Sequence, residues 1–159
     1  MNIEEIRNLI PHSSEYIKSH ENELRLKIEE VARKWVGGSY HINGMIPYTH
    51  SDCHTILMMI YAEAQLIPLL TPQYYNAQFM LHTGDTKYFD TIKEYASETS
   101  YPQKGDLILY RYGRVISHSA IILNYPEIIH SQVNNGTILD DATNPALVKR
   151  QEHIYSFWT

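Results

Sequence analysis

Hydrophobic residues recur every three or four positions in the first third of the chain, with charged residues between them. This is the spacing of an amphipathic helix. The apolar positions are Ile17, Leu24, Ile28, Val31 and Trp35. Ser13 or Ser14 is a suitable N-cap at the start, and Gly37 and Gly38 are suitable residues at the end. We therefore predict one scaffold helix over residues 14–36.

A second helix is predicted after a loop rich in turn-forming residues. Residues 39–50 have the sequence SYHINGMIPYTH, a composition typical of loops. The helix is expected to begin near Ser51 and to end at about Leu66, before Pro68. The segment 71–100 that follows is mixed, and 85–97 within it is a candidate helix.

The last third of the chain changes to short runs rich in Ile and Tyr, which turn signals separate. Helices that precede strands in this way favour an α+β fold with an antiparallel sheet. Asn134, Asn135 and Gly136 form a hairpin signal, and we interpret Asp140 and Asp141 as a solvated turn. The predicted strands are 106–111, 115–123, 127–133, 137–140 and 153–158.

Length and charge narrow the class of protein. A chain of 159 residues with 43% hydrophobic and 19% charged residues suits a single globular domain over 1–159, with 1–13 as an N-terminal segment set off by Pro11. The formal net charge of -5 does not favour a nucleic-acid partner. The longest strongly apolar run, 56–60, is far too short to span a bilayer. The acidic start lacks the features of a signal peptide, so we expect a cytoplasmic protein or one carried outward by other means.

The chain contains one cysteine, Cys53, and nine histidines. One cysteine excludes a disulfide within the chain and any all-cysteine metal site. A lone cysteine is usually a small buried apolar residue, and a catalytic thiol requires histidines that the fold brings close. The histidines do not follow a metal-binding spacing, so we predict neither a metal site nor a cofactor.

Cys53 is a candidate nucleophile because of its place at a predicted helix start. If Ser51 caps that helix, Cys53 lies in the first turn, where backbone N–H groups and the helix dipole favour thiolate over thiol. The same N–H groups are candidate donors for an oxyanion hole. Asp52 opposes thiolate formation unless its carboxylate points towards substrate or a helix N–H.

Two histidines in successive predicted strands are candidates for the base and its orienting partner. If three residues connect the strands, Leu123 lies opposite Glu127, and His118 and His130 become diagonal neighbours on one face. An even connection without a bulge would place them on opposite faces, so we predict an odd connection or a bulge. With Cys53 they would supply nucleophile, base and orienting group.

The order of these motifs resembles the NlpC/p60 family of cysteine peptidases over roughly residues 31–140. In that family a tryptophan helix and a Gly-x-x-Tyr turn precede an Asp-Cys helix, a Gly-Asp-Leu strand and two histidines twelve residues apart. The matching residues are Trp35, Gly37, Tyr40, Asp52, Cys53, Gly105, Asp106, Leu107, His118 and His130. The longish loop before the cysteine and the basic, aromatic ending are most similar to the phage-tail and gene-transfer-agent branch.

The resemblance implies a papain-like core, with N-terminal helices packed on a five- to six-stranded antiparallel sheet. It implies hydrolysis of peptidoglycan stem peptides, typically between γ-D-glutamate and diaminopimelate, and the branch adds phage-tail assembly proteins as partners and a particle-associated location. The implied catalytic residues are Cys53 as nucleophile, His118 as base and His130 as orienting group. The implied substrate-binding or oxyanion residues are Tyr40, Asp52 and His54.

The chain departs from the family pattern at two places, and two other functions stay open. His54 and Thr55 stand where the family usually has Ser-Gly, and Ala120 replaces a glycine two residues after the base. These departures put the identity of the substrate in question. One alternative is a non-catalytic cell-wall or phage-tail binding module, which an unreactive Cys53 would favour. The other is an amidase or acyltransferase for a different acyl donor, which a wide apolar groove would favour.

Overall fold

The computed structural model describes residues 1–69, 90 and 92–159, with helices early in the chain and strands late. The helices are α1 (Ile3–Arg7), α2 (Ser14–Ser19), α3 (Glu21–Arg33), α4 (Thr55–Glu63) and α5 (Pro145–Val148). The strands are β1 (Ser39–Tyr40), β2 (Met45–Ile46), β3 (His50–Ser51), β4 (Ser97–Glu98), β5 (Leu107–Tyr112), β6 (Val115–Ile122), β7 (Glu127–Gln132), β8 (Gly136–Asp141) and β9 (Gln151–Ser156). The candidate helix at 85–97 falls largely outside the described residues.

The main sheet has six strands in the order β4-β9-β5-β6-β7-β8, and each neighbouring pair is antiparallel. This confirms the predicted α+β class and the predicted sheet. A second, small sheet has the order β1-β3-β2 and consists of two-residue strands. It lies within the segment that we predicted as a loop, and it places the turn before Cys53 beside the main sheet.

Leu123, just after β6, lies opposite Glu127 at the start of β7, and three residues, 124–126, separate them, as the position of the histidines required. Leu123 N–H donates to the carbonyl of Glu127 at 2.9 Å, and Ile121 pairs with Ile129 in the same register. This confirms the odd connection. The two strands pair next to this connection, where Ile121 lies opposite Ile129 and Ile122 lies opposite Ile128. Farther from the connection, the chain around Cys53 contacts both strands, at Ser117 and Ser119 of β6 and at Ser131 of β7.

The core lies between the helices and one face of the main sheet. Every residue of α4 is buried, and the helix is apolar apart from Thr55 and Glu63 at its two ends, as expected for a helix inside a core. The opposite face of the sheet packs against α5 through Leu147. The sheet residues on the α4 side include Leu107, Leu109, Ile121 and Ile129, and those on the other side include Ile108, Tyr110, Ala120, Ile122 and Ile128.

The predicted helix over 14–36 is divided into α2 and α3, which corrects the prediction. The break is at His20, whose φ and ψ of -120° and 34° are not helical. Its ring Nδ1 lies 2.9 Å from the carbonyl oxygen of Tyr16, and the Ser19 hydroxyl donates to the same oxygen at 3.1 Å. Side chains that compete for helix carbonyls in this way interrupt a helix that hydrophobic spacing alone would continue.

The N-terminal segment packs on the rest of the chain. Ile6 of α1 is buried in the main core, and α1 contacts α4. Two hydrogen bonds of 2.8 Å then join the chain after α1 to Gln65: Gln65 Nε2 donates to the carbonyl of Ile10, and His12 N–H donates to the carbonyl of Gln65. Residues 1–13 are therefore tied to the end of α4.

Candidate active site

Cys53 lies in a tight turn between β3 and α4, and the side chain of Asp52 holds this turn. Its Oδ1 accepts the N–H groups of His54 at 2.9 Å and Thr55 at 2.8 Å, while Oδ2 accepts the N–H of Asn43 at 2.8 Å. The predicted N-cap at Ser51 is therefore wrong. Ser51 belongs to β3, and the carboxylate of Asp52 is the group that caps the helix start.

The position of Asp52 reduces the number of backbone N–H groups at the helix start that are available to a substrate. Asp52 is fully buried, so it faces the backbone of the turn and not the solvent-accessible cleft. Its carboxylate occupies the N–H groups of His54 and Thr55, which were among the predicted oxyanion donors. The prediction that Asp52 points away from the sulfur, towards helix N–H groups, agrees with this geometry.

The turn rests against strand β6 through both the sulfur and the backbone of Cys53. The thiol Sγ donates to the carbonyl oxygen of Ser117 at 3.4 Å, and the hydroxyl of Ser119 donates to the carbonyl of Cys53 at 2.9 Å. The strand that carries His118 therefore also fixes the cysteine. Because Ser117 and Ser119 flank that histidine in sequence, the positions of the thiol and the imidazole are coupled.

His118 belongs to a chain of hydrogen bonds that ends on a carboxylate. Its Nε2 lies 2.8 Å from Nδ1 of His130, and Nε2 of His130 lies 3.0 Å from Oδ2 of Asp140. His130 is fully buried, His118 is 7% exposed, and the side chain of Asp140 is 26% exposed. The three side chains thus run from the interior of the sheet to its surface.

Burial keeps the two imidazoles neutral. Desolvation, with a smaller contribution from His130, lowers the pKa of His118 to about 3. Desolvation also lowers the pKa of His130, although the hydrogen bond and the charge of Asp140 act in the opposite direction. At neutral pH His118 is therefore an unprotonated imidazole, which is the form that can accept a proton.

Cys53 and His118 line one cleft of about 390 Å³. Its lining residues are Tyr40, Cys53, Tyr112, Ser117, His118, Ser131, Gln132, Val133 and Asn135. Burial, and then the negative charges of Cys53 and Asp52, raise the pKa of Tyr40 well above its ordinary value. The Tyr40 hydroxyl therefore remains protonated and is a hydrogen-bond donor on the same cleft as Cys53.

The side chain of His54 is buried and is not among the residues that line this cleft. Burial lowers its pKa, against the opposing effect of Asp52, so the ring is neutral. Ala120, at the other departure from the family pattern, is also buried and packs with Tyr110 and Ile122. Both residues contribute to packing behind the site and do not contact its open surface.

Asp140 is the residue of this site that the sequence interpretation missed. It lies in strand β8, as the predicted strand over 137–140 required, so the interpretation as a solvated turn was wrong. The hairpin signal at Asn134 to Gly136 could have located it, because Gln132 pairs with Gly136 and Ile128 therefore pairs with Asp140. Side chains alternate along a strand, so 128, 130 and 140 share one face.

A helix that follows the cysteine, packed against an antiparallel sheet that carries the histidines, defines a papain-like α+β protein. The model of the NlpC/P60 family matches residues 34–155, and the chain belongs to this family. No functionally curated protein shows significant sequence similarity to it. None of the described helices is long and apolar enough to cross a membrane.

Solved structures of the same family share the fold. An NlpC/P60 family protein from Bacillus cereus is 18% identical with a TM-score of 0.61, over 85% of this chain and 40% of that chain. A lipoprotein-like NLP/P60 protein from Staphylococcus aureus is 22% identical with a TM-score of 0.63, over 86% and 42%. The NlpC/p60 domain of the peptidoglycan hydrolase SagA is 18% identical with a TM-score of 0.55, over 83% and 97%. The chain thus spans less than half the length of the first two proteins.

Proposed function

We propose that this chain is a cysteine peptidase that hydrolyses amide bonds in the stem peptides of peptidoglycan, with γ-D-glutamyl-diaminopimelate as the target bond. The observation that carries the proposal is that Cys53 and His118 line one cleft, while His118 is bonded to His130 at 2.8 Å. The similar domain of SagA comes from a protein described as a peptidoglycan hydrolase, which supports the choice of substrate.

In the proposed mechanism, neutral His118 takes the proton of Cys53 as the sulfur attacks the amide carbonyl. The tetrahedral intermediate collapses when His118 returns that proton to the leaving amine, and a thioester remains on Cys53. Water then attacks the thioester while His118 accepts one of its protons. The C–S bond breaks, His118 passes this proton to the sulfur to regenerate the thiol, and the released carboxylic acid loses the second water proton to solvent. His130 keeps the ring of His118 in place throughout.

The proposed oxyanion donor is the hydroxyl of Tyr40. Asp52 already occupies the N–H groups of His54 and Thr55, which reduces what the helix start can contribute. The Tyr40 hydroxyl lies on the cleft beside Cys53, and its raised pKa keeps it a donor. A donor aimed at the developing negative charge stabilises the transition state more than the ground state.

The side chains that line the cleft carry groups that can bind a peptide acyl donor, while most of the exposed lining surface is apolar. Among the described residues that line it, the aliphatic one is Val133, and most of the others carry hydroxyl, amide or imidazole groups. Polar groups of this kind suit the amide and carboxylate groups of a stem peptide. A lipid-dependent acyltransferase would instead require a wide apolar surface next to Cys53.

The proposal is tested with purified sacculi that contain diaminopimelate. The wild-type protein should release stem-peptide fragments with a new diaminopimelate amine, identified by mass spectrometry. Cys53→Ala should abolish release, and His130→Ala should retain part of it, because removal of the orienting ring leaves nucleophile and base in place. His153→Ala, a histidine paired with Glu98 on another strand, is the matched control and should behave like wild type. Release by Cys53→Ala equal to wild type would end the proposal.

The non-catalytic alternative makes a different prediction for the thiol. Because Cys53 is the single cysteine, alkylation by iodoacetamide reports on it alone. An activated thiol should be alkylated near pH 7 much faster than a free cysteine peptide, and His118→Ala should slow the reaction. A slow rate that does not change in His118→Ala would support a binding module that kept the fold and lost turnover.

Two broader features also belong to the proposal. We propose that residues 1–159 fold as one domain, since Ile6 near the start is in the core and the indole of Trp158 near the end donates to the Ile17 carbonyl at 2.8 Å. We also propose the phage-tail branch, with tail assembly proteins as partners, on the longish loop before Cys53 and the basic, aromatic ending. Neighbouring genes for tail assembly would support this branch, and neighbouring genes for cell division would contradict it.

A further inference from the structure

We propose that Asp140 is a positioning residue that selects the reactive tautomer of His118 through His130. The inference rests on the proposed function, because it concerns how the base of that reaction is prepared. It adds an acid to the predicted Cys53-His118-His130 set, because the hydrogen bonds run from His118 through His130 to Asp140.

The hydrogen bonds fix the direction of each proton in this chain. An ionised carboxylate only accepts hydrogen bonds, so the contact of 3.0 Å with Asp140 requires a hydrogen on Nε2 of His130. A neutral His130 then has its lone pair on Nδ1, which lies 2.8 Å from Nε2 of His118. His118 must donate along this contact, so its own hydrogen is on Nε2 and its lone pair is on Nδ1. Nδ1 is therefore the nitrogen that can take a proton from Cys53.

Without the carboxylate, the opposite pair of tautomers would satisfy the hydrogen bond between His118 and His130 equally well. His130 could carry its hydrogen on Nδ1 and donate to Nε2 of His118. His118 would then carry its hydrogen on Nδ1 and could not accept the thiol proton through that atom. Both rings are buried, and a buried ring nitrogen does not readily exchange a protein partner for water. The carboxylate of Asp140 therefore determines whether Nδ1 of His118 carries a lone pair that can accept the thiol proton or a hydrogen that prevents it.

The carboxylate of Asp140 is itself held in position. Its Oδ1 accepts the N–H of Asp141 at 2.8 Å, which leaves Oδ2 directed at His130. It also adds a negative charge that favours the imidazolium formed during the reaction, which a neutral His130 does only weakly. Among the described residues, the other titratable or charged groups near the histidines are Cys53, Tyr40, Tyr110 and Tyr112. The guanidinium of Arg150 stacks on Tyr112 at 4.2 Å.

The kinetic test compares Asp140→Asn with Asp141→Asn. Both variants remove one negative charge from the end of β8, but Asp141 is exposed and bonds to Thr143 instead of the histidines. Asp140→Asn should lower kcat/KM on sacculi about ten- to a hundredfold, the effect of losing a hydrogen bond to a charged group. It should shift both limbs of the pH profile to lower pH, because removal of a nearby negative charge lowers both apparent pKa values of the Cys53 and His118 pair. Asp141→Asn should change neither quantity.

A second measurement needs no substrate, so it separates this inference from the proposed function. In protein labelled with ¹⁵N-histidine, the nitrogen shifts of His118 should report the Nε2–H tautomer in wild type and in Asp141→Asn. They should report a mixture or the Nδ1–H tautomer in Asp140→Asn. An unchanged tautomer in a folded Asp140→Asn protein would overturn the inference, even if kcat/KM were reduced.

If sacculi are not cleaved by the wild-type protein, the proposed function fails while the tautomer measurement still decides the role of Asp140. Thermal unfolding of both variants controls for loss of the fold. Should Asp140→Asn unfold, Asp140→Ser is the replacement variant. A serine hydroxyl can donate to as well as accept from His130, so it also removes the selection of one tautomer.

Discussion

Single residues of this site obtain their chemical character from burial. His118 and Tyr40 have ordinary side chains, but desolvation lowers the pKa of the first and raises that of the second. Each is thereby held in its neutral form, one as a group that can accept a proton and the other as a hydrogen-bond donor. A base and a hydrogen-bond donor therefore coexist on one cleft, and neither carries a permanent charge that would attract ions to the site.

Tyr40→Phe tests the role of the hydroxyl with little change in shape. If Tyr40 donates to the oxyanion, the variant should lower kcat at least about tenfold with KM nearly unchanged, because that bond is made mainly in the transition state. The measurement is steady-state release of stem peptide from sacculi. Tyr101→Phe, at an exposed tyrosine, is the control. A raised KM with unchanged kcat would instead identify Tyr40 as a residue that binds the ground state.

Among the elements, the segment that carries Tyr40 depends on strand β8 for its position. Gly37 N–H donates to the carbonyl of Thr137, and Thr137 N–H donates to the carbonyl of Gly38, both at 2.9 Å. Gly136 makes this approach possible, since a Cβ on it would lie 2.3 Å from the Gly38 carbonyl oxygen. The same hairpin therefore positions Tyr40 on one side and Asp140 on the other.

Gly136→Ala should destabilise the protein by about 3 kcal/mol or more, because it combines a left-handed backbone with a steric clash against backbone atoms. Gly113→Ala is a matched control. Its φ of +67° is close to the +69° of Gly136, but a Cβ there meets no atom within 4 Å. Gly113→Ala should lower the free energy of unfolding by only about 1 kcal/mol. Urea unfolding followed by circular dichroism measures both values, and equal losses would show that the contact with Gly38 is unimportant.

For the whole molecule, one buried ion pair joins helix α3 to the sheet. Arg25 Nη1 lies 2.9 Å from Oδ1 of Asp106, with exposed side-chain fractions of 7% and 0%. The guanidinium also stacks on Trp158 at 4.4 Å, and Ser156 lies at 3.4 Å. Burial raises the pKa of Asp106, while Ser156 and Arg25 oppose that rise. The start of β5 and the C-terminal residues are thus fixed to one arginine of the scaffold helix.

Arg25→Met should lower the free energy of unfolding by about 3–5 kcal/mol at neutral pH, since it leaves Asp106 buried without its cation. The difference in the free energy of unfolding between wild type and Arg25→Met should become smaller as the pH falls, because protonated Asp106 no longer has a charge that needs a cation. Lys27→Met, which removes an exposed pair with Glu30 on the same helix, is the control and should cost less than about 1 kcal/mol. Urea unfolding at several pH values provides the test. Equal losses in the two variants, or a deficit that grows with acidification, would contradict it.

Strand prediction succeeded where short-range rules apply. The strands near Leu107, Val115 and Glu127 were placed to within a few residues, because alternation and turn signals are local properties. Strand alternation, with both histidines required on one face, predicted an odd connection or a bulge, and Leu123 lies opposite Glu127 with three residues between them. Helix ends were less well predicted, since the break at His20 and the cap by Asp52 depend on which side chain reaches a particular backbone group.

The sequence by itself determined the order of elements and the common face of His118 and His130, because periodicity and strand alternation belong to the chain. It also contained the motifs by which the family is recognised. Only the tertiary structure decided that Asp140 completes the histidine chain, that Asp52 caps the helix, and that Arg25 joins helix to sheet. Each of these depends on residues far apart in sequence meeting in a low-dielectric interior, where an unpaired polar group is costly. The spacing of residues along the chain does not show which distant residues come into contact.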